Sequence, residues 1–178
     1  MRIYLNGFMG SGKSTVGPLL AEQLDWSFVD LDANIESAID MPIAAFFSSQ
    51  GEPAFRAVEQ KQLFKTTASD ASVIAVGGGA LCTQDNLEFA LNSGVVVFLS
   101  VAVPELVRRL KAEQATRPML LSDDGELLPD ATVRDRIELL LNRRLGFYNQ
   151  AHLTVATDGR TPQAIAMEIA GLLADEHR

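Results

Sequence analysis

Short apolar runs alternate along this chain with longer stretches in which apolar residues recur every three or four positions. Ile3 to Leu5 is the first run, and the spacing of Val16, Leu19, Leu20 and Leu24 predicts a helix from Ser14 to Leu24. A second run, Ser27 to Val29, ends at Asp30-Leu31-Asp32, read as the extended end of a strand. Pro53 suits the first turn of a helix that opens near Glu52 and runs to about Thr67. Val73 to Val76 is a third strand, halted by Gly77-Gly78-Gly79, and Val95 to Leu99 is a fourth and the most apolar. Helices follow from Pro104 to about Glu113 and from Thr132 to about Leu145, the second with Val133, Ile137, Leu140 and Leu141 on one face. Leu153 to Val155 is the last strand and Pro162 to Leu173 the closing helix. Strands alternating with helices imply an α/β fold in three layers, a parallel sheet covered on both faces. Such sheets bind ligands at the carboxyl ends of their strands. That edge carries Gly7 to Ser14, Asp30 to Asp32 and Gly77 to Gly79.

The 178 residues suit one domain spanning 1–178, and 47% apolar with 21% charged residues excludes a disordered chain. Gln114 to Asp130 breaks the rhythm with Arg117-Pro118 and Ser122-Asp123-Asp124-Gly125, a stretch long enough to suggest a functional loop. No apolar run is long enough to cross a bilayer, and no secretory leader is evident at the start. The single cysteine, Cys82, can form no internal disulfide and offers no zinc site, so a cytoplasmic location is expected. A net charge of -8 counts against a nucleic-acid partner. Yet 11 of the 15 basic residues are arginines, whose planar fork suits bidentate recognition of carboxylate and phosphate.

Chemistry enters with Gly7-Phe8-Met9-Gly10-Ser11-Gly12-Lys13-Ser14, a full match to G-x-x-x-x-G-K-[ST] between a strand and a helix. Glycines there let backbone N–H groups cradle phosphate oxygens at a helix N-terminus. Lys13 then reaches the outer phosphates and the Ser14 hydroxyl ligates magnesium. Asp30 and Asp32, two apart on an extended end, would point the same way. One carboxylate near magnesium and one near an acceptor hydroxyl suits phosphoryl transfer. For Asp32 a helix cap before Ala33-Asn34-Ile35 is the competing reading. Arg56 and Glu59 share a helix face, either as a surface pair or as a rigid grip on a substrate carboxylate. Gly77-Gly78-Gly79 is either a flexible turn or a place where a ligand approaches the backbone closely.

In order and spacing these segments resemble the shikimate kinases. The resemblance rests on GFMGSGKST, DLD, GEPAFRAVE, GGG, TRPML and the run from Arg144 to Ala151, and covers nearly the whole chain. It implies a P-loop kinase fold with a five-stranded parallel sheet and a mobile lid at about 112–130. It also implies that ATP, with Mg2+, phosphorylates the 3-hydroxyl of shikimate in aromatic amino acid biosynthesis. Position by position, the resemblance implies that Gly10, Ser11, Gly12, Lys13, Ser14 and Thr15 contact ATP. Lys13 would meet the transferring phosphoryl group. Ser14 and, through water, Asp30 would hold the metal. Asp32 would hold the accepting hydroxyl and act as its base. Arg56 and Arg144 would bind the shikimate carboxylate, with Gly77, Gly78 and Gly79 contacting the substrate through their backbone. Arg117 would be the lid arginine on the ATP phosphates, and Arg109 and Arg160 would flank the adenine. The expected partners are ATP and shikimate, with no membrane and no subunit partner. Three positions depart from the family pattern: Gly146 stands for proline, Gln150 for glutamate and Pro18 for arginine.

Two other functions compete. A gluconate- or nucleotide-kinase-like enzyme could use the same scaffold. Arg56 and Arg144 with Asp32 favour a hydroxylated carboxylic acid instead. A nucleotide-binding switch without turnover would call for an Asn-Lys-x-Asp run, which the sequence lacks.

Overall fold

A computed structural model of the chain describes residues 1–112 and 128–175. Its centre is a five-stranded sheet in the order β2-β3-β1-β4-β5. The strands are β1 (Arg2–Asn6), β2 (Ser27–Asp30), β3 (Ser72–Ala75), β4 (Val95–Ser100) and β5 (Leu153–Ala156). All pairings are parallel, with Tyr4 opposite Ile74 on one side and Val96 on the other.

The period-two alternation of β1 divides the core. Ile3 and Leu5 face Val16 and Leu20 of α1 (Lys13–Leu24) and Ile165, Ile169 and Leu173 of α7 (Pro162–Asp175). Tyr4 faces the other way, towards Leu31 and Ile35 of α2 (Leu31–Ile39), Phe55 and Leu63 of α3 (Ile43–Lys65), and Leu87 and Ala90 of α4 (Gln84–Ser93). Side chains this well buried each contribute about 1.5–3 kcal/mol. A third cluster lies over the carboxyl end of β4. There Phe8 and Phe98 meet Leu106 and Leu110 of α5 (Val103–Ala112) and Val133, Ile137 and Tyr148 of α6 (Asp130–Tyr148). Lys111 pairs with Asp130, which joins the last turn of α5 to the first turn of α6.

Three local readings change. The chain does not stay extended through Asp32. The Asp30 side chain accepts the backbone N–H groups of Asp32 and Ala33, so α2 begins at Leu31 with no intervening turn. The helix expected from Glu52 is the second half of α3, which bends at Gly51 and starts earlier, at Ile43. Finally, α6 runs on past Leu145 to Tyr148 despite Gly146. The Gln150 side-chain amide donates to the Gly146 carbonyl at 2.9 Å, tying two of the departures from the family pattern together. Pro18 sits inside α1 without ending it.

Candidate active site

Between β1 and α1, residues 7–12 wrap into a glycine-rich cradle of the shape that the sequence motif assigns to phosphate. Gly10 (φ 78°) and Gly12 (φ 99°) lie in the left-handed region that residues with a β-carbon avoid. Their backbone shape therefore needs glycine. Lys13 opens α1 and is only 9% exposed, its ammonium donating to the carbonyls of Gly7 at 2.8 Å and Phe8 at 3.0 Å. The cation is thus held directly beneath the cradle. Beside it the Ser14 hydroxyl donates to Asp30 Oδ2 at 3.0 Å. These are two hard oxygen donors at one corner, the type Mg2+ prefers. No cluster of three metal-ligating side chains occurs among the described residues. A magnesium ion fits this corner only with phosphate oxygens and water completing its shell. Both residues line a cleft of about 160 Å³ that also holds Lys13, Thr15, Asp32 and Gly78.

Gly77, Gly78 and Gly79 organise the rest. None of them has a left-handed φ. They are glycines because other groups crowd their α-carbons. A β-carbon on Gly77 would stand 2.8 Å from Asp32 Oδ1 and 3.3 Å from Glu59 Oε1. One on Gly78 would meet the Met9 nitrogen at 3.3 Å and the Gly7 carbonyl oxygen at 3.4 Å. One on Gly79 would lie 3.1 Å from Arg56 Nη2 and 3.4 Å from Arg144 Nη2. The tripeptide therefore presses a carboxylate to one end, two guanidinium groups to the other and the phosphate cradle to its middle. Arg56, Gly79 and Arg144 line a second cavity of about 550 Å³, together with Glu52, Cys82, Arg143 and Phe147.

Arg56 is fixed from both sides. It donates to Glu59 Oε2 at 2.6 Å and, through Nη2, to Glu52 Oε1 at 3.1 Å. Burial weighs against its charge, but the bonds to Glu59 and Glu52 leave the guanidinium pKa above its ordinary value. Glu59 is 2% exposed, so the pair is no surface ornament. Burial pushes the Glu59 carboxyl above the usual carboxylate range, opposed by Arg56 and assisted by the nearby Asp32 charge. Cys82 is half-buried, and burial raises its thiol pKa, which disfavours the reactive thiolate.

A third cavity of about 350 Å³ lies on the far side of the cradle, lined by Gly10, Gly12, Thr15, Arg109 and Arg160. Arg109 donates to Glu105, to the Gly10 carbonyl and to both oxygens of Thr157. It thereby ties α5 to the cradle. Arg160 pairs with Glu168 and donates to the Ala156 carbonyl. The first and third cavities share walls at Gly10, Gly12 and Thr15, while Gly78 lines the first cavity and its neighbour Gly79 the second. All three are lined by segments that follow the carboxyl ends of strands.

The family model for shikimate kinase matches residues 9–174. The chain belongs to the shikimate kinase family. A shikimate kinase of Salinibacter ruber is 42% identical over 158 residues, 89% of this chain and 78% of that protein. Among solved structures, the shikimate kinase of Bacteroides thetaiotaomicron superposes with a TM-score of 0.89 at 34% identity, covering 98% of each chain. The shikimate kinase of Acinetobacter baumannii, solved in complex with shikimate, gives 0.84 at 34% identity over 98% of this chain and 93% of that one. As a member of this family the chain is an ATP-using kinase. Its five-stranded parallel sheet between helical layers is the family's α/β architecture.

The site residues read from the sequence line these three cavities, except Gly77, which sits beside Asp32, and Arg117, which with most of the 112–130 segment expected to act as a lid lies outside the described residues. Among the described residues no helix is long and apolar enough to cross a membrane. Three contributors escaped the sequence. Glu52 is the second carboxylate on Arg56, Arg143 lines the second cavity, and Tyr148 holds the Gly78 carbonyl. Only Glu52, one helical turn before Arg56, carried a local signal.

Proposed function

We propose that this enzyme transfers the γ-phosphoryl group of ATP to the 3-hydroxyl of shikimate, giving shikimate 3-phosphate and ADP. The observation that carries this reading is the crowding of Gly77 by Asp32 and of Gly79 by Arg56 and Arg144. A proton acceptor and a paired cationic clamp, one tripeptide apart, match an acceptor that bears both a hydroxyl and a carboxylate.

The roles follow from chemistry. Arg56, braced by Glu59, and Arg144 grip the carboxylate with parallel hydrogen bonds. That grip turns the far hydroxyl towards Asp32 and the cleft. Asp32 accepts the hydroxyl proton as the oxygen–phosphorus bond forms. The bond from the γ-phosphorus to the bridging oxygen breaks, and ADP leaves with that oxygen. Lys13 swings from the Gly7 and Phe8 carbonyls to the γ-phosphoryl oxygens and offsets their charge. Ser14 and Asp30 are the residues that would hold Mg2+, which when bound neutralises phosphate charge. The cavity lined by Arg109 and Arg160 receives the adenine.

A coupled assay of ADP release tests the assignment. We expect release to depend on shikimate and to stay at background with gluconate or a nucleoside monophosphate. ADP release that is indifferent to shikimate, or that one of the other acceptors drives faster, overturns it.

A further inference from the structure

The Gly78 carbonyl is held by α6 at two points. Tyr148 Oη donates to it at 2.5 Å and Arg144 Nη1 at 3.2 Å. Tyr148 is 0% exposed, and its ring stacks on Phe98 at the end of β4, centroids 5.0 Å apart. Burial drives the phenol pKa far above its ordinary value, so the hydroxyl stays a donor at any working pH. A planar trans peptide carries its C=O and N–H on opposite edges. Fixing the Gly78 carbonyl against α6 therefore also fixes the edge that the Gly79 N–H presents. Gly79 is the residue against which both Arg56 and Arg144 rest.

We propose that Tyr148 is a positioning residue for the acceptor: its hydroxyl, by sharing the Gly78 carbonyl with Arg144, sets both the Gly78-Gly79 peptide and the depth at which the Arg144 guanidinium sits. Without the phenolic donor, Arg144 is the remaining α6 side chain bonded to that carbonyl. The guanidinium then gives up alignment with the substrate carboxylate to keep it. The Tyr148 hydroxyl bonds the Gly78 carbonyl rather than a polar group of the cradle, so its loss should weigh more on the acceptor than on the nucleotide. The inference rests on the shikimate kinase reading above.

Tyr148→Phe keeps the ring and its stack on Phe98 and removes one oxygen. Steady-state kinetics of the wild type and this variant give the test, with Tyr148→Leu as the control for lost packing. Loss of one hydrogen bond predicts that KM for shikimate rises about threefold to tenfold in Tyr148→Phe. KM for ATP should stay within about twofold, and thermal stability should stay near wild type, whereas Tyr148→Leu should lose stability. An unchanged KM for shikimate in Tyr148→Phe, or equal changes for shikimate and ATP, overturns the proposal while leaving the function intact. A wild-type enzyme that does not turn over shikimate overturns the functional reading itself, and the proposal with it.

Discussion

Asp30 caps the helix on which Asp32 stands. The Asp30 carboxylate accepts the backbone N–H of Asp32 at 3.0 Å and of Ala33 at 3.3 Å, while its other oxygen takes the Ser14 hydroxyl. The cap that was an open alternative for Asp32 therefore belongs to its neighbour, and the Asp32 carboxylate faces Gly77 and the cleft. Asp32→Asn should cut kcat by about 10² to 10⁴-fold, the usual worth of a positioned base. Thermal stability should change little. Asp30→Ala should behave differently, costing about 1 kcal/mol of stability through the lost cap. Comparing the two variants by ADP release and thermal melting checks both; near-wild-type turnover in Asp32→Asn would remove it as the base.

Gly79→Ala would place a methyl group 3.1 to 3.4 Å from the tips of Arg56 and Arg144. These are ends of flexible side chains, so the fold should absorb the change by moving them a few tenths of an ångström. The carboxylate clamp should then lose alignment. We expect KM for shikimate to rise by about tenfold, within the worth of a charged hydrogen bond, with KM for ATP unchanged. An equal rise for both substrates would show that the turn does not separate the two sites.

Glu59 offers a test through pH. Its folded-state pKa is raised by burial, so its favourable contribution is full below the ordinary carboxylate pKa and is lost as pH rises through the raised value. The stability of the wild type minus that of Glu59→Gln should therefore fall from about pH 4 towards neutrality, since the glutamine cannot ionise. Urea titrations of both proteins across that range measure it. A difference that instead grows with pH would mean that the pair with Arg56 outweighs burial.

Gly146 lies in α6 with an ordinary helical φ, and a β-carbon there would meet nothing within 4 Å. Gly146→Ala should stabilise the protein by ~0.5–1 kcal/mol, the helix-interior difference between the two residues. Activity should be unaffected, because the Gln150 contact is made by the backbone carbonyl. A melting temperature at or below wild type would point to strain at this position.

The strands, α1, the second half of α3, α5 and α7 were legible because each carries its own apolar period. α2 was not, since Asp30 turns the chain into a helix within one residue of the strand's end. The first half of α3 did carry a signal in Ile43, Phe46 and Phe47, spaced as one helical face, which the bend at Gly51 severs from the rest. α4 hides because one of its buried positions is polar. Asn86 spends its amide on the Ala80 carbonyl and accepts from Gln60. Within the site, the phosphate cradle and the Arg56–Glu59 pair are local patterns. The Tyr148–Gly78 bond joins residues 70 positions apart. No local spacing announces it. The three glycines were read as either a flexible turn or room for a ligand; the neighbours that crowd them are Asp32 and Glu59 at Gly77, Met9 and Gly7 at Gly78, and Arg56 and Arg144 at Gly79.

The pairing of carboxylate clamp and base across Gly77-Gly78-Gly79 is tested most directly by replacing shikimate with its methyl ester. The ester keeps every hydroxyl and removes only the charge that Arg56 and Arg144 are arranged to hold. We expect kcat/KM measured by ADP release to fall about tenfold to hundredfold, as for loss of a charged hydrogen bond. Equal kcat/KM for the acid and the ester would contradict the clamp and, with it, the assignment of the acceptor site.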